Sequence, residues 1–116
     1  MNSKKFIKSL AAAIFQSCLE TNSIEETSFD QGDFIYKINI IKYFIGKNLE
    51  FEFDSLCSFY NSLEKLKEPF LVKRVFVILY ETQTISKEGF DLWRRRWNLK
   101  SNKKEMLSHL KNFLSF

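Results

Sequence analysis

The densest group of side chains with chemical potential lies between residues 80 and 96. It combines two aromatic rings, three carboxylates and three consecutive guanidinium groups: Tyr80, Glu81, Glu88, Asp91, Trp93, Arg94, Arg95 and Arg96. Arginine forms bidentate hydrogen bonds with carboxylates and phosphates, and aromatic residues anchor many protein interfaces. These residue types suit recognition of a charged partner better than bond-making chemistry.

The basic residues around this group could instead hold RNA. The net charge of the chain is +4, but residues 1–60 carry −2 and residues 61–116 carry +6. The excess is greatest around Arg95, Lys100, Lys103 and Lys104, which are the candidate RNA-binding residues. Three successive arginines span about 200° of a helix, so they cannot all face one partner. A solvated helix face is the competing interpretation of the same charges.

Signals for catalysis are poor. The single histidine, His109, lies in a predicted amphipathic helix, and the sequence has no phosphate-binding glycine loop and no zinc-ligand spacing. The carboxylate pairs Glu25/Glu26 and Glu50/Glu52 lie in or near predicted loops, where solvation is their expected state. We therefore expect no enzymatic activity, no metal and no cofactor.

A helix–turn–helix corner is predicted to carry the residues of the 80–96 group. The apolar run from Val75 to Tyr80 stops at a polar tripeptide, and Ser86 then has the type and place of a helix N-cap. Ile85 and Phe90 are spaced to form a hydrophobic staple across that cap. Paired helices of this kind are the unit of repeat proteins that mostly bind partners.

The rest of the chain also favours helices. With three glycines and one proline in 116 residues, the sequence has too few turn signals for a many-stranded fold. Apolar periodicity predicts helices over residues 3–20, 54–67, 70–81 and 86–98, and a last helix capped by Asn102, with a polar loop at 21–33. The segment 70–81 is apolar on nearly every side and should be central, with a buried strand as its alternative.

Residues 34–53 fit two structures equally well on local pattern. Phe34, Tyr36 and Ile38 begin an alternation that predicts a β-hairpin turning at residues 46–48. The competing prediction is a helix from about Asp33 to Ile45 with Gly46 as its C-cap, followed by a new helix from about Asn48.

The two cysteines and the N-terminus predict a cytoplasmic location. Cys18 and Cys57 occur among apolar helical positions, as expected of buried thiols in a reducing compartment. Lys4 and Lys5 precede an apolar stretch that resembles a signal peptide, but Lys8 interrupts it and no small-residue cleavage site follows. No apolar run approaches the roughly 20 residues of a membrane span.

Several of these segments, taken in order, resemble the C-terminal HEAT-type domain of the translation initiation factor 4 gamma group, also called the two-tryptophan domain. The resemblance rests on residues 6–14, Ile41 to Phe44, Leu56 to Leu66 with Pro69, and Leu110 to Leu114. Its most specific part is the first acidic–aromatic box, matched by Leu79, Tyr80, Glu81, Ile85, Ser86, Glu88, Phe90 and Trp93. The same domain type ends initiation factor 5 and the epsilon subunit of initiation factor 2B.

The resemblance implies an all-α fold of five to six helices in antiparallel HEAT-like pairs, as a single domain over residues 1–116. It implies a docking function in the eukaryotic cytoplasm, with an initiation factor or a MAP-kinase-interacting kinase as partner. Tyr80, Glu81, Glu88, Asp91, Trp93, Arg94, Arg95 and Arg96 would then be the partner-binding residues. An RNA-binding helical repeat, or a small helical scaffold or inhibitor unrelated to translation, are the alternatives.

Overall fold

A computed structural model describes residues 3–21 and 27–98. The elements are α1 (Ser3–Ser17), β1 (Leu19–Thr21), β2 (Thr27–Phe29), α2 (Gln31–Ile45), α3 (Leu49–Leu66), α4 (Pro69–Glu81) and α5 (Lys87–Asn98). The fold is a compact all-α single domain with five helices in the described residues, as predicted. The helix predicted from Asn102 onward, with His109, lies outside those residues. None of the described helices is long and apolar enough to cross a membrane.

The hairpin alternative for residues 34–53 is wrong, because two capped helices occupy this segment. Asp30 caps α2 by accepting a hydrogen bond from the backbone N–H of Asp33, and Gly46 ends that helix at a φ of 58°. Asn48 then caps α3 by accepting from the N–H of Phe51 at 3.1 Å. The apparent alternation arises because α2 carries apolar residues on all its faces, which a helix can do as well as a strand.

A short antiparallel strand pair joins the end of the predicted first helix to the segment predicted as a loop at 21–33. Leu19 pairs with Phe29, and Thr21 pairs with Thr27. The first helix consequently ends at Ser17 rather than at residue 20, and α2 begins at Gln31 rather than at Asp33. Three-residue strands are too short to show a periodicity in the sequence.

Helix α3 lies at the centre of the fold and packs against α1, α4 and α5. Its Phe59 meets Phe34 of α2 at 5.7 Å between ring centroids, and its Tyr60 meets Trp93 of α5 at 5.5 Å. The segment 70–81 is helical, so the strand alternative for it is wrong. It is not the central helix predicted, since it exposes Phe70 at one end and Tyr80 at the other.

Candidate functional site

The corner between α4 and α5 has the predicted helix start. The backbone N–H of Gly89 donates to the Ser86 hydroxyl at 3.1 Å, so Ser86 is the N-cap of α5. Ile85 and Phe90, the residues predicted to form a staple across the cap, are both fully buried. Capping and burial together fix the path of the chain through the turn.

A buried carboxylate holds this turn, so the prediction that Glu52 is solvated is wrong. Glu52, in the first turn of α3, is 4% exposed and accepts a hydrogen bond from the backbone N–H of Ser86. This contact joins residues 34 positions apart, so no local pattern reveals it. The only hint in the sequence is that Glu52 falls between the apolar residues Phe51 and Phe53.

The aromatic residues of the corner divide between core and surface. Trp93 is fully buried, with its ring 5.3 Å from Phe76 and 5.5 Å from Tyr60. It therefore supports the corner from the core and does not present its ring to a partner, contrary to its place among the predicted contact residues. Tyr80 is 38% exposed and rests against Phe90 at 6.1 Å, so one edge of its ring reaches the surface.

An open groove of about 690 Å³ lies between the corner and the turn that joins α2 to α3. Three of the predicted contact residues, Tyr80, Glu81 and Glu88, line it, with Glu52 in its wall. The ammonium group of Lys42 ties the two turns together by donating to the Thr82 carbonyl at 2.9 Å. The groove thus has an aromatic edge, a fixed frame and a lining of mixed charge, in which Lys47 and Lys87 accompany the three carboxylates.

The remaining predicted residues lie along α5 and bind one another or α3. Arg96 makes two hydrogen bonds with Glu50, at 2.8 and 2.9 Å, and its guanidinium group lies 4.7 Å from the centre of the Phe53 ring. This pairing lowers the pKa of Glu50 and raises that of Arg96. Arg96 therefore fastens α5 to α3, with 41% of its side-chain surface still accessible.

Asp91 is the local anchor for the other two arginines. Its carboxylate lies 3.4 Å from Arg94, and its backbone carbonyl accepts from Arg95 at 3.4 Å. Arg95 is the most exposed of the three arginines. The three fan around the helix, as their spacing predicts. Lys100, Lys103 and Lys104 lie outside the described residues, so the structure does not describe how they sit relative to Arg95.

A second polar cluster has the outward form of a serine–lysine pair. The Lys37 ammonium group lies 3.0 Å from the Ser17 hydroxyl and 2.6 Å from the Asp33 carboxylate. The hydrogen bond with Asp33 raises the pKa of Lys37, which keeps the amine protonated and unable to act as a base. Burial likewise raises the pKa of the neighbouring Cys18 thiol, so no nucleophile is activated there.

Metal-binding geometry is also missing from the part of the chain that the structure describes, where no group of three or more His, Cys, Asp or Glu side chains could hold an ion. Cys18 is buried, and Cys57 is half-buried on α3. The groove at the corner is accordingly the best-formed candidate site, and what it offers is a surface for binding.

Comparisons with protein-family models, with curated proteins and with solved structures gave no match.

Proposed function

We propose that this chain is a protein-docking domain that binds its partner in the groove between the α4–α5 corner and the α2–α3 turn. On the resemblance of residues 79–93 to the first acidic–aromatic box, the partner is an initiation factor or a MAP-kinase-interacting kinase. The chain is then an adaptor of the eukaryotic translation initiation machinery, working in the cytoplasm.

The observation that carries this proposal is the groove itself. Tyr80, Glu81 and Glu88 line an opening of about 690 Å³. Glu81 and Glu88 are exposed, so their carboxylates can meet lysine or arginine side chains of a partner, while the Tyr80 ring supplies an apolar contact. Such a groove needs no catalytic group to perform its function.

The rigidity of the groove supports the same conclusion. Its walls are fixed by the Glu52 contact with Ser86, by the Lys42 contact with Thr82 and by the buried ring of Trp93. A surface that is already ordered loses little conformational freedom on binding, which favours affinity. Trp93 acts here by positioning the corner.

The test is capture of partners from a eukaryotic cytoplasmic lysate, with and without ribonuclease, using the whole chain. Glu81→Lys combined with Glu88→Lys should remove initiation factors or their kinases from the captured set and leave the helical circular dichroism unchanged. Glu68→Lys is the matched control, because Glu68 is an exposed acid outside the groove whose side chain makes no capping bond. Equal capture by the parent, the control and the double variant would refute the site.

RNA binding through Arg94 to Lys104 is the alternative that the ribonuclease arm addresses. Arg96 pairs with Glu50 and Arg94 with Asp91, and Arg95, which donates to the Asp91 carbonyl, is the most exposed of the three. Arg95→Glu with Lys103→Glu should abolish RNA retention if the basic segment binds RNA. Loss of every partner on ribonuclease treatment would transfer the function to that segment, and a helical scaffold unrelated to translation would retain neither RNA nor initiation factors.

A further inference from the structure

Helix α2 exposes a large apolar surface on the side away from the core. Nine of its fifteen residues are apolar, and four of them, Phe34, Ile38, Ile41 and Ile45, are buried. The other five are 40–81% exposed: Ile35, Tyr36, Ile40, Tyr43 and Phe44. A helix that is apolar on all sides is normally covered on all sides. The exposed face of α2 therefore needs an occupant.

Four of these five exposed residues form one continuous stripe, which we call the α2 stripe: Tyr36, Ile40, Tyr43 and Phe44. The spacing of four and then three residues from Tyr36 through Ile40 to Tyr43 is that of a coiled-coil seam. At about 100° per residue, these three side chains project within about 60° of one another. Phe44 extends the surface sideways to Phe6 of α1, whose ring lies 5.1 Å away.

Opposite charges stand at the two ends of the stripe. Asp33 precedes Tyr36 by three residues, and Lys47 follows Tyr43 by four, in the turn after the helix. Asp30 adds a second exposed acidic residue at the first end. Asp33 also binds Lys37 at 2.6 Å, but a third of its side-chain surface remains accessible. If a second copy of the stripe packs against the first in the opposite direction, the acidic end of each copy faces the basic end of the other.

We propose that the α2 stripe is the interface of a homodimer, in which the α2 helices of two copies pack antiparallel about a two-fold axis near Ile40. In this arrangement Ile40 meets its own equivalent, and Tyr36 meets Tyr43 and Phe44 of the second copy. Asp33 approaches Lys47 of the second copy, and the helix dipoles oppose each other favourably. A parallel arrangement would place like charges together at both ends. Two-fold dimers of this isologous kind are the commonest protein oligomers.

The interface is expected to be weak. A helix of fifteen residues is about 22 Å long, and a standard interface takes about 800 Å² from each partner. One helix with the Phe6 ring beside it supplies a narrow contact. The dimer should therefore form and dissociate with concentration in the micromolar range.

Sedimentation equilibrium and light scattering test the dimer from about 1 µM to about 500 µM, the range expected for a narrow interface. The mass should rise with concentration from 13.9 kDa toward twice that value. Ile40→Glu and Tyr43→Glu should each hold the chain at the monomer mass, with unchanged circular dichroism. Phe70→Glu, which alters an aromatic residue on α4 that is 76% exposed, is the control and should dimerise like the parent.

A charge exchange tests the orientation. Lys47→Asp should weaken the dimer at least tenfold, and Asp33→Lys added to it should restore association, because the reversed pair meets across the axis. Failure of the double variant to recover would overturn the antiparallel arrangement. A monomer at every concentration would overturn the dimer itself, whether or not the stripe then bound anionic lipid vesicles or an acidic helical peptide. Ile40 and Tyr43 do not line the groove, whereas Lys47 does, so the mass measurements on the Ile40 and Tyr43 variants are the ones that separate this proposal from the docking proposal.

Discussion

Gly89 occupies a position on α5 where any side chain would collide with the Glu52 carboxylate. A Cβ atom there would lie 2.8 Å from the Glu52 carboxylate oxygen and 3.1 Å from its Cβ. That oxygen cannot withdraw without releasing the backbone N–H of Ser86. The absence of a side chain at Gly89 thus lets α3 and α5 approach closely at the floor of the groove.

Gly89→Ala is expected to lower the free energy of unfolding by about 1–3 kcal/mol, the usual effect of overpacking or of an unsatisfied buried group. Gly32→Ala is the matched control, since a Cβ at this exposed position in the first turn of α2 meets only an Asp30 oxygen at 3.6 Å. The control should be neutral or more stable by about 0.4–1 kcal/mol. Urea unfolding of both variants measures the difference, and equal stabilisation of the two would contradict the close approach.

At the scale of the elements, the ends of the helices were the most predictable features. Gly46, Asn48, Pro69 and Ser86 mark helix boundaries in the sequence, and the structure has a boundary at each. Their signals are local, because each acts on backbone groups within one turn. The end of α3 is signalled by Pro69, because a residue before proline avoids the α region, whereas its left-handed C-cap, Lys67, is not the glycine usual at that position.

The two C-caps of α2 and α3 make a paired prediction. Lys67 has φ 53° and ψ 41°, a conformation that costs a residue with a side chain about 1–2 kcal/mol, so Lys67→Gly should stabilise the protein by about 1 kcal/mol. Gly46 has φ 58° and ψ −125°, so Gly46→Ala should destabilise it by about 1–3 kcal/mol, although open space surrounds the position. Thermal unfolding followed by circular dichroism gives both values. Shifts of the same sign in the two variants would rule out backbone conformation as the cause.

Side-chain contacts between different helices could not be predicted from the sequence. Glu52 is one carboxylate among several in residues 48–54, and only the approach of α5 gives it a partner. The pairing of Arg96 with Glu50 crosses 46 residues and commits one of the predicted contact groups to a bond within the fold. The helix–turn–helix corner could therefore be predicted from local sequence. The part that Glu52 plays in the groove wall, and which arginines have partners within the fold, could not be predicted.

For the molecule as a whole, Asp54 links stability to pH. Its side chain is 2% exposed on the central helix, and Lys4 of α1 lies 3.8 Å from one carboxylate oxygen. Burial raises the pKa of Asp54, and the positive charges of Lys4 and Lys8 offset only part of that rise. The folded state therefore holds this proton more tightly than the unfolded chain does. The stabilisation that comes from protonating Asp54 is complete below the pKa of about 4 that this group has in the unfolded chain. It is lost as the pH rises through the higher pKa of Asp54 in the folded state.

Asp54→Asn should accordingly be more stable than the parent at pH 7, and the difference should shrink toward zero below about pH 4. Lys4→Gln is the complementary variant, because it removes the nearest positive charge and should destabilise at pH 7 but not at about pH 3. Urea unfolding at a series of pH values measures both. An Asp54→Asn variant less stable than the parent at pH 7 would contradict the sign.

The strand pair between α1 and α2 provides a suitable site for inserting additional sequence. Thr21 and Thr27 stand opposite each other in the pairing register, so the strand pair holds these two points of the chain close together. Lengthening a closed loop costs only about 0.6 kcal/mol for each doubling. An epitope or a fluorescent tag grafted between these two threonines would leave the five helices undisturbed and display its insert at a defined place.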